Sequence, residues 1–475
     1  MVANKLKGIR EEYDVIVVGS GLAGLTGANV LSRMGRSVLL LEHHYRLGGL
    51  ATWFRRKRDH IFDVSLHGFP SGMIKSCRKY WNDEIASSIR PLRDVRFINP
   101  QFNLNTTFEL PDFKRILGEV FGVVQDRVES FFETVRKMPF YGDKSMTIRE
   151  LFERFFPGRS DVVRFLLEPI YYANGSTLDD PAVAFSIVFS NFINRGVFSF
   201  AGGTDQLIRK MTKELEKNGV DIRNRSLVEK ILIEDGVTKG VIVNGQEVRA
   251  ASVMSNANLK TTILRLAGEG HFCSEFIAQT KAVRLNNSST QVYMGLKEGA
   301  LIPDIGDLVF TSKKAEFNGE AQMMRDGQSR TYSVYPPDPL SGRSRSAIVS
   351  STNARYEDWA DLDEKSYRAE KKRLIEDTMN DLSELIPDIR DKIDWIEAGT
   401  PRTLKHYTLH QGGASFGTKF EGLSVSEELP RQVGGLFHAG SVGIIMSGWL
   451  GAINYGVIVA NNIDRYLGKV RAVPV

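Results

Sequence analysis

The residues best suited to chemistry come early in the chain. Gly19-Ser20-Gly21-Leu22-Ala23-Gly24 sets three glycines at the spacing of a phosphate-binding turn. The first permits the tight turn, the second lets backbone approach a pyrophosphate, and the third lets a helix pack closely on its strand. Glu42 follows at the end of a second apolar run, where a carboxylate can accept hydrogen bonds from ribose hydroxyls. This is the chemistry of dinucleotide binding. His43 and His44 come next, but no acid or third histidine lies at a metal-ligand spacing, so no metal is expected. Arg46 offers a charge for a phosphate, and Gly48-Gly49 offers a loop that can lie flat against a ligand.

The elements that must position these residues are readable. Tyr13–Val18 is a β-branched run of the kind a buried parallel strand needs. Leu22 to Met34 has helical spacing, with the helix N-terminus and its free N–H groups facing the glycine turn. Ser37–Glu42 is the second strand. Far along the chain, Leu207, Ile208, Met211 and Leu215 share a helix face that Asn218-Gly219 closes. Strands separated by Asp235-Gly236 and Asn244-Gly245 then predict a β-meander ending near Ser255-Asn256. A third segment, Gly435 to Ile463, combines a short strand through Gly440-Ser441 with a glycine-punctuated helix containing Gly448, Gly451, Ala452 and Ile453.

Three such segments in this order resemble the FAD-dependent amine oxidase superfamily. Within it, Thr400-Pro-Arg-Thr403, Gly412-Gly413 and Gly448-Trp-Leu-Gly-Ala452 resemble the phytoene desaturase, carotenoid isomerase and retinol saturase branch. The resemblance implies an α/β fold: a Rossmann-like FAD-binding domain assembled from three segments (1–75, 196–264 and 396–475). An inserted α+β substrate domain is implied in two (76–195 and 265–395), the first mainly helical. It implies FAD contacts from Gly19, Ser20, Gly21, Leu22, Ala23, Gly24, Glu42, His43, Arg46, Gly48, Gly49, Leu50, Ala51, Val228, Gly440, Ser441, Gly451, Ala452 and Ile453. Val228 would meet the adenine edge through its backbone. Ser441 stands where relatives carry an acid for a ribitol hydroxyl, so that contact is weaker and uncharged here. The helix start at Gly448–Ala452 would face the flavin and favour its anionic reduced form.

Composition fits a globular protein of more than one domain: 475 residues, 42% apolar, 25% charged. A net charge of +5 does not argue for nucleic acid, and two cysteines build neither a disulfide framework nor a cysteine zinc site. No stretch reads as a membrane span or signal peptide, so a cytoplasmic protein is expected, peripheral at the inner face of a membrane. Arg55-Arg56-Lys57-Arg58 reads either as a lipid-headgroup contact or as an exposed hairpin turn. The first insert is dense in aromatics, among them Phe131, Phe132, Phe140, Tyr141, Phe152, Phe155, Phe156, Phe165, Tyr171, Tyr172, Phe185, Phe189 and Phe192. They read as helical core or as a tunnel wall for a long apolar substrate.

The leading expectation is an FAD-dependent oxidoreductase acting on carbon–carbon double bonds of an isoprenoid, carotenoid or retinoid-like lipid. By resemblance it exchanges hydride with flavin N5, in desaturation, saturation or isomerisation. No Ser–His–Asp set or paired carboxylates are found, and no catalytic acid or base is nominated. His67, His406, Tyr407 and His410 are candidates to line the cavity. No second nucleotide fingerprint suggests a nicotinamide, which leaves a quinone, oxygen or a reduced carrier as electron partner. The alternatives are a flavin amine oxidase and a non-catalytic prenyl-lipid escort. The intact glycine motifs argue against the escort, which needs no flavin.

Overall fold

A computed structural model describes residues 6–139, 145–323, 325, 328–338 and 342–472. Phe140, Tyr141 and the first five residues lie outside them. The chain opens with β1 (Glu12–Val18), α1 (Leu22–Arg33) and β2 (Val38–Glu42), then a hairpin of β3 (Trp53–Arg55) and β4 (Ile61–Asp63). Strands β5 (Val95–Ile98) and β6 (Asn103–Thr106) lead into a helical stretch that ends with α2 (Ser160–Asn174) and α3 (Ala182–Ile193). Next come α4 (Gly203–Lys217), β7 (Asp221–Asn224), β8 (Val228–Glu234), β9 (Val237–Val243) and β10 (Gln246–Ser255). The last part holds β11 (Ser288–Leu296), β12 (Leu308–Ser312), β13 (Ser329–Tyr335), β14 (Ala347–Ala354), α5 (Glu364–Leu385), β15 (Ile393–Gly399), β16 (Leu436–His438) and α6 (Gly448–Ala472).

The first sheet has the order β7-β2-β1-β10-β9-β8, with β16 beside β10. Its β7, β2, β1, β10 and β16 run parallel, as a buried α/β sheet requires, while β8 to β10 form the antiparallel meander. The meander turns because Asp235-Gly236 and Asn244-Gly245 all take positive φ (50°, 72°, 48° and 75°). Helix α6 crosses α1 so closely that a Cβ on Gly456 would lie 2.4 Å from the Ala23 carbonyl oxygen.

The second sheet, β15-β11-β14-β13-β12-β5-β6, lies outside the nucleotide unit. One face packs Val292, Met294 and Ile348 against Met379 and Leu382 of α5. The boundary expected at 396 falls inside β15, which is hydrogen-bonded to β11 from Leu296 through Gln291. The sequence to Gly399 therefore belongs to this sheet, and the third nucleotide segment enters the first sheet only at Leu436. The helical insert has its own core, where Phe113, Phe131, Phe152, Phe165, Phe185 and Phe189 are all buried. Most of its aromatics are therefore packing residues.

Candidate flavin and substrate cavity

One cavity of about 780 Å³ runs between the two halves. Its first wall is the glycine turn. Gly21 caps α1 with no side-chain hydrogen bond, which leaves the first-turn N–H groups open to an anion. A Cβ on Gly24 would stand 2.2 Å from the Gly19 carbonyl, so only glycine lets α1 sit this close to β1. The Gly48-Gly49 loop lies on the same turn: Gly48 N–H donates to Ser20 O at 3.0 Å, and Gly21 and Gly48 form a parallel bridge. Gly48 (φ 110°) and Gly49 (φ 57°) both need the left-handed region to do this.

Glu42 is buried at the end of β2, as its position predicts, but it is not idle. Its carboxylate accepts from Ser20 N–H at 2.9 Å, Ser20 Oγ at 2.6 Å, His44 N–H at 2.8 Å and His43 Nδ1 at 2.9 Å. A carboxylate has about four acceptor sites. A ribose hydroxyl must therefore replace the Ser20 hydroxyl or the His43 ring. Burial opposes charge on both partners, yet the hydrogen bonds from His43 and Ser20 hold Glu42 below the usual carboxylate range. The same contact with Glu42 holds His43 above the usual imidazole value. Arg46 lies 3.6 Å over the Trp53 ring, so its charge is fixed at the wall by an aromatic face.

Of the residues expected at FAD, Gly19 to Ala23, Glu42, His43, Arg46, Gly48 to Ala51, Val228, Ser441, Gly451 and Ala452 line the cavity. Gly24, Gly440 and Ile453 stand behind its wall. A Cβ on Gly440 would meet Ala257 O at 2.5 Å, and Ile453 is fully buried. Ser441 is pressed from behind by Gly417, where any side chain would collide with the Ser441 carbonyl. The loop into α6 holds Ile444 at φ 61°, a strained conformation for a β-branched residue. Gly451 is required at the α6 start, since a Cβ there would reach Ile445 O at 2.4 Å.

Asn256 was read only as the end of a strand. In the structure its Nδ2 donates to Ala439 O at 2.8 Å, and its Oδ1 lies where a Gly21 Cβ would be, 2.6 Å away. It thereby joins the glycine turn to the third segment. A strand-end asparagine carries no signal of this in a single sequence. A buried cluster was missed as well: Arg343 pairs with Asp63 at 2.9 Å and with Asp205 at 2.7 Å.

The far wall comes from the second half. Tyr172 and the α3 residues Ile187, Val188 and Phe192 supply an apolar side, and Ser289, Gln291, Tyr293, Ser351 and Asn353 supply the sheet side. His67, Tyr407 and His410 line the cavity, and His406 does not. His67 Nδ1 meets Ser333 Oγ at 3.0 Å while Nε2 has no partner among the described residues, and burial pushes its pKa down to about 4. The basic cluster is a hairpin with partners: Arg55 pairs with Asp59 at 2.5 Å, Arg56 with Glu397 at 2.7 Å and Arg58 with Asp394 at 3.3 Å. Among the described residues no helix is long and apolar enough to cross a membrane, and no three His, Cys, Asp or Glu side chains gather as metal ligands.

This arrangement suits FAD: an uncapped helix N-terminus for the diphosphate, a buried acid at a strand end, and a cradle that side chains would fill. A sequence model described as flavin containing amine oxidoreductase matches residues 22–463. The chloroplastic prolycopene isomerase of Daucus carota is 23% identical over 86% of this chain and 72% of its own length. The all-trans-retinol 13,14-reductase of Danio rerio is 23% identical over 86% of this chain and 78% of its own. Among solved structures, an oxidoreductase from Methanosarcina mazei superposes with a TM-score of 0.68 at 16% identity, covering 94% of this chain and 99% of its own. Putrescine oxidase bound to putrescine superposes at 0.67 with 13% identity, covering 96% and 99%.

Proposed function

We propose a function that starts from what the chain is, a member of the flavin containing amine oxidoreductase family and an FAD-dependent enzyme. It oxidises, reduces or isomerises carbon–carbon double bonds of a long isoprenoid lipid of the carotenoid or retinoid kind. The observation that carries this reading is the continuity of the cavity: the glycine turn at one end opens without a partition onto Ile187, Val188, Phe192, Leu404 and Phe416. FAD, when bound, supplies two-electron redox chemistry.

The chain's own residues do the rest. Gly19 to Ala23, Gly48, Gly49 and the α1 N-terminus hold the diphosphate, and Glu42 with Ser20 and His43 holds the adenosine side. Gly451 and Ala452 at the α6 start line the cavity, where the positive dipole end of that helix would favour an anionic reduced flavin. Tyr172, Phe192 and Trp449 close an apolar space around the polyene and exclude water. The similarity to a prolycopene isomerase and a retinol reductase supports the polyene class. An amine substrate is less well served: of the two carboxylates at the described cavity wall, Glu42 is taken up by Ser20, His43 and His44 and Glu397 by Arg56, which leaves none for an ammonium.

Such a substrate is taken from a membrane surface, and the proposed contact is the cavity rim. The deciding experiment incubates candidate polyenes with oxidised and with reduced holoenzyme and weighs the products. Loss of a hydrogen pair means desaturation, gain means saturation, and altered retention at constant mass means isomerisation. Hydrogen peroxide release from amines with every polyene unchanged would refute the proposal.

A further inference from the structure

We propose that the substrate carries a neutral oxygen group, a hydroxyl before all others, held by Gln291, Ser351 and Asn353 on the cavity face of the second sheet. The inference rests on the lipid reading above and narrows it.

The sheet is two-faced. Side chains alternate along a strand, so Val292 and Met294 of β11 turn to α5 while Ser289, Gln291 and Tyr293 turn the other way. Across the ladder Ser289 stands opposite Asn353 and Gln291 opposite Ser351, which puts all four on the cavity side. They are only 7%, 5%, 9% and 3% exposed in the order Ser289, Gln291, Ser351, Asn353. A wall facing hydrocarbon alone would be apolar here, because polar groups kept from water without partners are costly. Across the cavity the helical wall sets Asn174 and Asn191 among Tyr172, Ile187, Val188 and Phe192, so the larger share of the buried polar side chains belongs to the sheet face.

The hydrogen bonds leave a complementary set open. Tyr293 OH donates to Gln291 Oε1, which fixes that amide and leaves its Nε2 to donate. Asn353 Nδ2 donates to Tyr171 O at 2.9 Å, which leaves its Oδ1 to accept. Ser289 Oγ meets Ser415 Oγ at 3.2 Å. Gln291 Nε2, Ser351 Oγ and Asn353 Oδ1 have no partner among the described residues. Directly opposed side chains in a ladder start about 5 Å apart and diagonal ones about 7–8 Å. One hydroxyl between them can donate to Asn353 and accept from Gln291 or Ser351. A hydrocarbon end can do neither.

The group is neutral because the face offers no free charge. Its carboxylate, Glu397, is paired with Arg56 at 2.7 Å. His67, joined to this face through Ser333, is uncharged at neutral pH, since burial holds its pKa near 4. A carboxylate or an ammonium would enter without a counter-ion.

The test uses holoenzyme with geranylgeraniol, the hydrocarbon of the same skeleton without the hydroxyl, and the corresponding acid, with binding read from the flavin absorbance. The alcohol is expected to bind about tenfold tighter than the hydrocarbon, the size of one hydrogen bond to a buried partner, and also tighter than the acid. Gln291→Leu and Ser351→Ala are expected to erase that preference by weakening the alcohol alone, with flavin content and hydrocarbon binding unchanged. Equal binding of alcohol and hydrocarbon by the native protein would overturn this inference and leave the lipid reading standing. Binding of none of the three overturns both. Variants that keep their flavin but lose both lipids equally would show the face to be structural and overturn the inference.

Discussion

At the scale of single residues, the buried histidines and the Glu42–His43 pair govern how the protein responds to acid. His438 is 1% exposed, with Nδ1 on Ser426 Oγ at 2.8 Å and Nε2 on Ala257 O at 2.9 Å. Burial lowers its pKa from 6.5 to about 4. The unfolded chain therefore binds the proton first. Stability is intact above pH 6.5 and falls as the pH drops from 6.5 towards 4, by roughly 3 kcal/mol at the lower end. His438→Gln should flatten this slope, read from denaturant midpoints at both ends of the interval. The pair behaves differently. The stability from His43 is complete below pH 6.5 and fades as the pH rises through its raised value, while that from Glu42 is complete above 4.5 and fades in stronger acid. Glu42→Gln puts an amide donor against one of the two backbone N–H groups, that of Ser20 or that of His44, and removes the negative charge beside His43. It should cost about 1–3 kcal/mol in melting and release FAD, seen as loss of yellow colour on gel filtration. A colourless but folded variant is the expected result; full flavin retention would contradict the assignment.

At the scale of elements, close approach decides which glycines are replaceable. In Gly24→Ala the new methyl group meets the Gly19 carbonyl at 2.2 Å, and backbone cannot move aside cheaply. Gly27, one turn later in α1, would meet only the tip of the Met254 side chain, at 2.3 Å. Gly24→Ala should therefore destabilise by about 1–3 kcal/mol and empty the flavin site. Gly27→Ala should stay near neutral, because a flexible methionine yields and alanine is about 1 kcal/mol the better helix former. Thermal melts with a flavin count check both. These elements were legible in the sequence because each rests on local rules: a β-branched run before a glycine turn, and Asp-Gly or Asn-Gly between meander strands. Strand β11 begins at Ser288, although Ser288-Ser289-Thr290 have the composition of a loop. They are strand because Ser288, Ser289 and Thr290 pair with Ala354, Asn353 and Thr352 of β14, partners that no window of sequence can display. In the stretch of three arginines and one lysine at 55–58, Arg55 has a local partner in Asp59, but the partners of Arg56 and Arg58, Glu397 and Asp394, lie more than three hundred residues away.

At the scale of the whole molecule, the two halves are tied by a buried charge cluster. Arg343 reaches from the second half to Asp63 on β4 and Asp205 in the first turn of α4, and a Cβ on Gly203 would strike its guanidinium. Arg343→Met leaves buried Asp63 without a cation and Asp205 with only the exposed Arg209 at 3.6 Å, and should cost about 3–5 kcal/mol, read from a lowered denaturant midpoint. Arg343→Lys should recover only part, because one ammonium cannot reproduce the fork. This cluster, like Asn256, was invisible in the sequence: its members are single polar residues brought together by topology. The FAD motifs were visible because phosphate binding demands glycine at fixed spacing. The polar floor of the cavity was not, because hydroxyl and amide side chains in a strand carry no label of what they face.

The packing of α1 against α6, and of β10 between β1 and β16, has a consequence for biosynthesis. A ribosome adds about 5–20 residues each second, so some 20–80 s separate the emergence of Glu42 from that of Gly448. For that interval the nascent chain holds its phosphate turn and the first helix, with Leu22, Leu25, Ala28 and Leu31, without the last helix that packs against them. Vitamin-derived cofactor can be captured only after translation has nearly ended. Molecular chaperones that shield hydrophobic nascent segments, and the cellular supply of free FAD at the moment of release, then decide what fraction of the newly made protein becomes active.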